Sequence, residues 1–164
     1  MKSFALKENF LKQENKELLS KIEHIFDKLP ERTFSGNPGI KGITCHHLAH
    51  ALAGVFPEFK AVDGHFIDKG REHSRLEEKR DEKSRKGYVI IDPYPIGGIK
   101  PQMYYTTWYG NSWKSLYLPA TSTKRMHEGL LVSPEFKKQV KLIQKDILKI
   151  LNDKYGFISK FGNN

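Results

Sequence analysis

Apolar positions change period twice along the chain, which divides it into a helical start, a β-rich middle and a helical end. Between about Leu6 and Leu29, the residues Leu11, Leu18, Ile22, Ile25 and Leu29 recur at three-, four- and seven-residue steps among Lys and Glu. That spacing predicts an amphipathic helix, closed by Pro30. A loop containing Gly36, Pro38, Gly39 and Gly42 follows. A short helix is then predicted from Cys45 to Ala53, with Thr44 as its N-cap and Gly54 as its stop. On it Cys45, Leu48, Ala49 and Leu52 share one apolar face.

The pattern next turns to strands. One is predicted over Phe59–Ile67, with Asp63, His65 and Ile67 on one face and Val62, Gly64 and Phe66 on the other. His73–Glu78 and Tyr88–Asp92 are two more, joined as a hairpin by the charged connection Lys79–Gly87. If Leu76 faces Val89, His73 faces Asp92, and directly opposed residues lie on one side of the sheet with Cβ atoms roughly 5 Å apart. Pro93-Tyr94-Pro95 ends the last strand and leaves Asp92 at a loop edge. From Met103 to Leu118 aromatic residues are dense, which suits one or two further strands with Gly110-Asn111 as a turn. A final helix starts at the cap Ser133 with Pro134 in its first turn, and runs through Phe136, Val140, Ile143, Ile147 and Leu151 to about Tyr155.

Composition narrows the class. The 164 residues include 28 Lys and Arg against 19 Asp and Glu, a net charge of +9. Length and hydrophobic content suit one folded domain over 1–164, with a helical segment at 1–30 and a helix at 133–155. The positive charge is compatible with nucleic acid, but the basic residues alternate with acidic ones and no nucleic-acid motif occurs, so that partner is not favoured. No apolar run approaches a membrane span or a signal peptide. A single cysteine excludes an internal disulfide framework and suits a reducing compartment, so a cytoplasmic setting without membrane contact is expected.

Cys45 is the centre of the candidate chemistry. At a helix start it sits at the positive end of the helix dipole, beside amides without intrahelical partners, and both features favour a thiolate. A nucleophilic thiol needs a base, and the base needs a partner that fixes its tautomer. His73 and Asp92 suit these roles, because a strand-start His and a strand-end Asp meet in the predicted hairpin. His46 and His50 are four apart on a helix, a spacing that also occurs at zinc sites. No Glu follows the first of them, and both should lie off the face carrying Cys45. They read as a satisfied or solvent-facing pair, and no metal or cofactor is expected.

Cys45 on its helix, followed by His73-Ser74-Arg75-Leu76-Glu77 and Ile90-Ile91-Asp92-Pro93, resembles the core of the transglutaminase-like branch of the papain-fold thiol enzymes, over roughly residues 36–95. The resemblance implies an α+β, papain-like (transglutaminase-like) core, in which the helix bearing the Cys packs on an antiparallel sheet between N- and C-terminal helices. It implies Cys45 as nucleophile, His73 as general base and acid, and Asp92 as the group orienting His73. The implied reaction is acyl transfer through a thioester on an amide or ester carbonyl of a protein or peptide, as in a thiol protease or other hydrolase, a deamidase or a transglutaminase. Arg75 stands where members often carry an aromatic, and no Gln shortly precedes Cys45 as in papain. The oxyanion hole therefore rests on the Cys45 amide and a second donor. Asn37 and Thr44 are candidates there, and Trp108 is a candidate wall of the substrate cleft. The competing readings are a non-catalytic interaction protein that keeps the fold and a basic nucleic-acid-binding module.

Overall fold

The computed structural model describes residues 5–6, 12–34, 40–66, 71–81, 83, 86–94, 100–106, 117–118 and 130–156, and among these three α-helices and one antiparallel sheet form an α+β fold. The elements are β1 (Ala5–Leu6), α1 (Gln13–Lys28), a 3-10 turn (Ile40–Gly42), α2 (Cys45–Val55), β2 (Phe59–Phe66), β3 (Arg71–Glu78), β4 (Tyr88–Asp92), β5 (Gln102–Thr106), β6 (Tyr117–Leu118), a second 3-10 turn (Leu130–Val132) and α3 (Pro134–Tyr155). Strand order across the sheet is β1-β5-β4-β3-β2-β6. Four strands, β2 to β5, form its body, and the two-residue strands β1 and β6 extend its edges.

Local signals set most boundaries. Pro30 forces Leu29 into an extended conformation (φ −57°, ψ 133°), so α1 stops at Lys28. Ser133 caps α3 by accepting the Phe136 N–H at 3.1 Å, Pro134 fills the first turn, and Gly156 ends the helix in the left-handed region (φ 64°). Two expectations are corrected. The first helix begins at Gln13 rather than near Leu6, because Ala5 and Leu6 pair with Thr106 and Tyr105 as a sheet edge. Gly54 does not stop α2, which continues to Val55. A Cβ at Gly54 would meet the Gln144 side-chain amide at 2.0 Å, so this side chain of α3 lies directly over the glycine. The aromatic-rich region holds the two further strands expected, β5 beside β4 and β6 beside β2; the expected turn at Gly110-Asn111 lies outside the described residues.

The hairpin register also differs by two residues. Leu76 pairs with Ile91 and Glu77 with Ile90, where pairing of Leu76 with Val89 was expected. A two-residue slide leaves every side chain on its original face, so the hydrophobic pattern does not separate the two registers. Beside the ladder, the Glu78 carboxylate accepts the Val89 N–H at 3.1 Å. Asp92 consequently sits diagonally to His73 rather than opposite it, still on the same face and within reach of a long side chain.

Helix α2 lies on β2 and β3, α3 lies on α2, and α1 packs against α3. The core joins Leu19, Ile22 and Ile25 of α1, Leu48, Leu52 and Val55 of α2, Ile143, Ile147 and Leu151 of α3, and the sheet residues Phe59, Leu76, Val89, Ile91 and Met103. All five β4 residues are buried, so the sheet is covered on both faces there. On the face away from this core, buried Arg75 pairs with Glu77 through Nη2 at 2.7 Å and Nε at 2.8 Å. Among the described residues no helix is long and apolar enough to cross a membrane.

Candidate active site

The backbone leading into α2 is held from three sides. Lys41 adopts a left-handed conformation (φ 60°). Its ammonium donates to the carbonyl oxygens of Asp27 at 2.7 Å and Leu29 at 2.9 Å, groups left without partners at the end of α1. Gly42 is also left-handed (φ 73°), and a Cβ there would fall 1.2 Å from the Arg32 carbonyl oxygen, so only glycine fits. Arg32 in turn donates to the Asp146 carboxylate of α3 at 2.7 and 2.8 Å. From the third side the Tyr94 hydroxyl accepts the Ile40 N–H at 2.6 Å and donates to the Ile43 carbonyl at 3.1 Å. The segment that delivers Cys45 is thereby tied to α1, α3 and the end of β4.

Thr44 then caps α2. Its hydroxyl accepts the His47 N–H at 3.3 Å, and its own N–H donates to His47 Nδ1 at 3.1 Å. An accepting Nδ1 leaves the proton on Nε2, which donates to Gln139 Oε1 at 2.7 Å. Burial is the main reason the His47 pKa is lowered, and the charges of His46 and His50 add to it. His47 is a structural histidine, and both polar groups of Thr44 are engaged with it.

Cys45 opens α2 and is 9% exposed. Its thiol meets two imidazoles, those of His46 and His73. Burial alone pushes the thiol pKa up; hydrogen bonds to His46 and His73, with the charges of both rings, outweigh it and bring the value down to about 6. His73 is 1% exposed, and its Nε2 lies 2.9 Å from Asp92 Oδ1. A carboxylate only accepts, so Nε2 carries the proton and Nδ1 is the nitrogen left for the thiol. Burial depresses the His73 pKa, but the hydrogen bonds to Asp92 and Cys45 and their charges raise it to about 9. The resting pair is therefore a thiolate facing an imidazolium. Asp92 is held in turn by the Tyr94 N–H, 3.3 Å from the same Oδ1.

Consecutive residues of an unbroken strand face opposite ways, yet His73 and Ser74 both meet the first turn of α2. The β3–β4 ladder ends at Leu76, so no β4 backbone is paired at His73, and the β2 residue opposite His73 is Gly64, which has no side chain.

Of the six residues singled out from the sequence, the fold brings Cys45, His73 and Asp92 together. Thr44 adjoins them as a cap, while Asn37 and Trp108 lie outside the described residues. Two neighbours were missed. Tyr94 follows Asp92 by two residues and braces both Asp92 and the approach to Cys45. His46 was expected to lie off the Cys45 face, but it is buried, contacts the thiol and has its Nδ1 2.5 Å from Ser74 Oγ. The signal was present in the strands. Asp63 and Ser74 are polar residues at positions directly paired in β2 and β3, on the face that meets α2, and a helix laid on them needs polar partners such as His46 and His50.

Compared with protein-family models, with curated proteins and with solved structures, this chain matches none.

Proposed function

We propose that this protein is a cysteine-dependent acyl-transfer enzyme with a papain-like, transglutaminase-like arrangement, acting through a thioester on an amide or ester carbonyl of a protein or peptide. The observation that carries the reading is the contact of the Cys45 thiol with His73, whose far nitrogen lies 2.9 Å from Asp92. Chain order supports it, with a helix-start Cys followed by His and Asp on neighbouring antiparallel strands.

In the proposed cycle the Cys45 thiolate attacks the carbonyl carbon, forming a C–S bond while the carbonyl π electrons move to oxygen. The Cys45 N–H, in the first turn of α2 where no intrahelical acceptor exists, donates to that oxyanion. As the tetrahedral species collapses, the bond to the leaving amine or alcohol breaks, and His73 gives it the Nδ1 proton. Neutral His73 then removes a proton from water or an amine, which attacks the thioester and releases the thiolate. Asp92 keeps the His73 proton on Nε2 throughout. A sole cysteine acting as nucleophile must stay reduced, so the proposal carries a reducing, cytoplasmic setting.

The test is acylation by a nitrophenyl ester, followed by nitrophenolate release and intact-protein mass. Wild-type protein should show a burst and an acyl adduct on Cys45. Cys45→Ala should lose both, His73→Ala should lose nearly all turnover, and Asp92→Asn should keep measurable residual activity. Wild-type turnover by folded Cys45→Ala would refute the proposal, and a folded wild-type protein that forms no adduct would point to the non-catalytic interaction protein.

A further inference from the structure

Behind Cys45 lies a second polar chain that the proposed cycle does not use. His46 Nδ1 is 2.5 Å from Ser74 Oγ, and the Ser74 hydroxyl donates to Asp63 Oδ1. His50 Nε2 lies 3.1 Å from each Asp63 oxygen. His46, Ser74 and Asp63 are all buried. Proton directions follow from donor chemistry. Asp63 can only accept, so the Ser74 proton points to Asp63 and Ser74 Oγ accepts from His46 Nδ1–H. The neutral His46 ring then has its lone pair on Nε2, the tautomer needed to take a proton from a thiol.

We propose that His46 is a second catalytic base on Cys45, with Ser74 and Asp63 as its positioning residues, so that the sulfur is served by two carboxylate-backed imidazoles. The proposal rests on the nucleophile reading above and divides the proton work within it. The S–H proton can pass to His46 Nε2 or to His73 Nδ1; in either case S–H breaks, N–H forms, and no further reactant is consumed. His73, tied to Asp92, serves the leaving group, while His46 offers the S–H proton of the free enzyme a second acceptor. Around His46 stand Cys45 and His47 of its own helix, Asp63 from β2 and Ser74 from β3; His50 shares Asp63 with it, His73 acts on the same thiol, and α3 contributes Gln139, which bonds His47. Asp63 is held below the usual carboxylate range: burial opposes this, but hydrogen bonds from His50 and Ser74 and the nearby imidazoles prevail. It is thus a charged anchor at neutral pH.

The experiment is the rate of Cys45 alkylation by iodoacetamide against pH, on the full chain. Wild-type protein should show a midpoint near 6. His46→Gln and His73→Gln should each raise it by at least one pH unit, and the double variant, in which burial acts unopposed, should reach or pass the free-thiol value of about 8.5. Ser74→Ala, which removes only a hydroxyl, should move the midpoint in the same direction by less; it decides the matter if His46→Gln does not fold. A wild-type midpoint in His46→Gln, or in Ser74→Ala where only that variant folds, overturns the proposal and leaves the Cys–His–Asp reading intact. A rise in His46→Gln with no change in His73→Gln supports this proposal and overturns the assignment of His73. A free-thiol midpoint in the wild type overturns both.

Discussion

Replacing Cys45 by Ser should add to the protein a pH dependence of stability that the Cys45–His73 pair does not give the wild type. In the unfolded chain the thiol titrates near 9.0 and the imidazole near 6.5, so between those values the pair holds one proton, on sulfur. In the folded protein the pair also holds one proton, now on His73, with macroscopic values of about 6 and about 9. Folding moves a proton from sulfur to nitrogen without net uptake, so these two residues contribute almost no slope in that window.

In Cys45→Ser only His73 titrates, and Asp92 still raises its folded pKa. A raised pKa stabilises the fold fully below the unfolded value of 6.5, and that stability is lost as pH rises through the folded value. The slope can reach about 1.4 kcal/mol per pH unit. The total is bounded by roughly 3 kcal/mol, which corresponds to the rise from 6.5 to about 9, because Cys45 supplies part of that rise. Urea titrations of both proteins in steps from about pH 6 to 9.5 would measure this, read as the difference between the two curves so that His24 and His47 cancel. Parallel curves would refute the thiolate–imidazolium pair. A divergence in which the variant gains stability with rising pH would refute the sign of the His73 shift.

Two further substitutions probe how Cys45 is delivered. Gly42→Ala should destabilise the fold by more than about 2 kcal/mol, since it combines left-handed strain with a Cβ placed on the Arg32 carbonyl; a urea midpoint within error of wild type would show that the 40–44 segment relaxes freely. Tyr94→Phe should cost about 1 kcal/mol for the lost hydroxyl bridge between Ile40 and Ile43, and should slow acylation of Cys45; unchanged stability and acylation rate would remove Tyr94 from the site.

Element types were legible in the chain itself, because they depend on short-range rules. Period and the start signals sufficed for α3, whose Ser133 and Pro134 act within a single turn. They also sufficed for the start of α2 at Cys45, where Thr44 accepts a backbone N–H. Strand identity was readable for β2, β3 and β4, and so was the shared face of His73 and Asp92, since faces survive a two-residue slide. Such rules say nothing about how far one strand slides along another. They also left Ala5–Leu6 looking like helix, because only the Thr106 and Tyr105 backbone makes them a strand.

The tertiary structure alone decided the surroundings of Cys45. Helical spacing put His46 off the cysteine's face, but spacing describes a helix by itself, and the ring turns inward because Ser74 and Asp63 offer the buried hydrogen bonds it needs. It likewise decided that Gln144 lies over Gly54, and that a lysine and a glycine with positive φ hold the approach to Cys45 against α1 and Arg32. Sequence alone determines what a residue can do with its near neighbours. Whether a sulfur is an inert core atom or a thiolate depends on the rings and carboxylates that distant segments bring to it, and no local pattern encodes those distances.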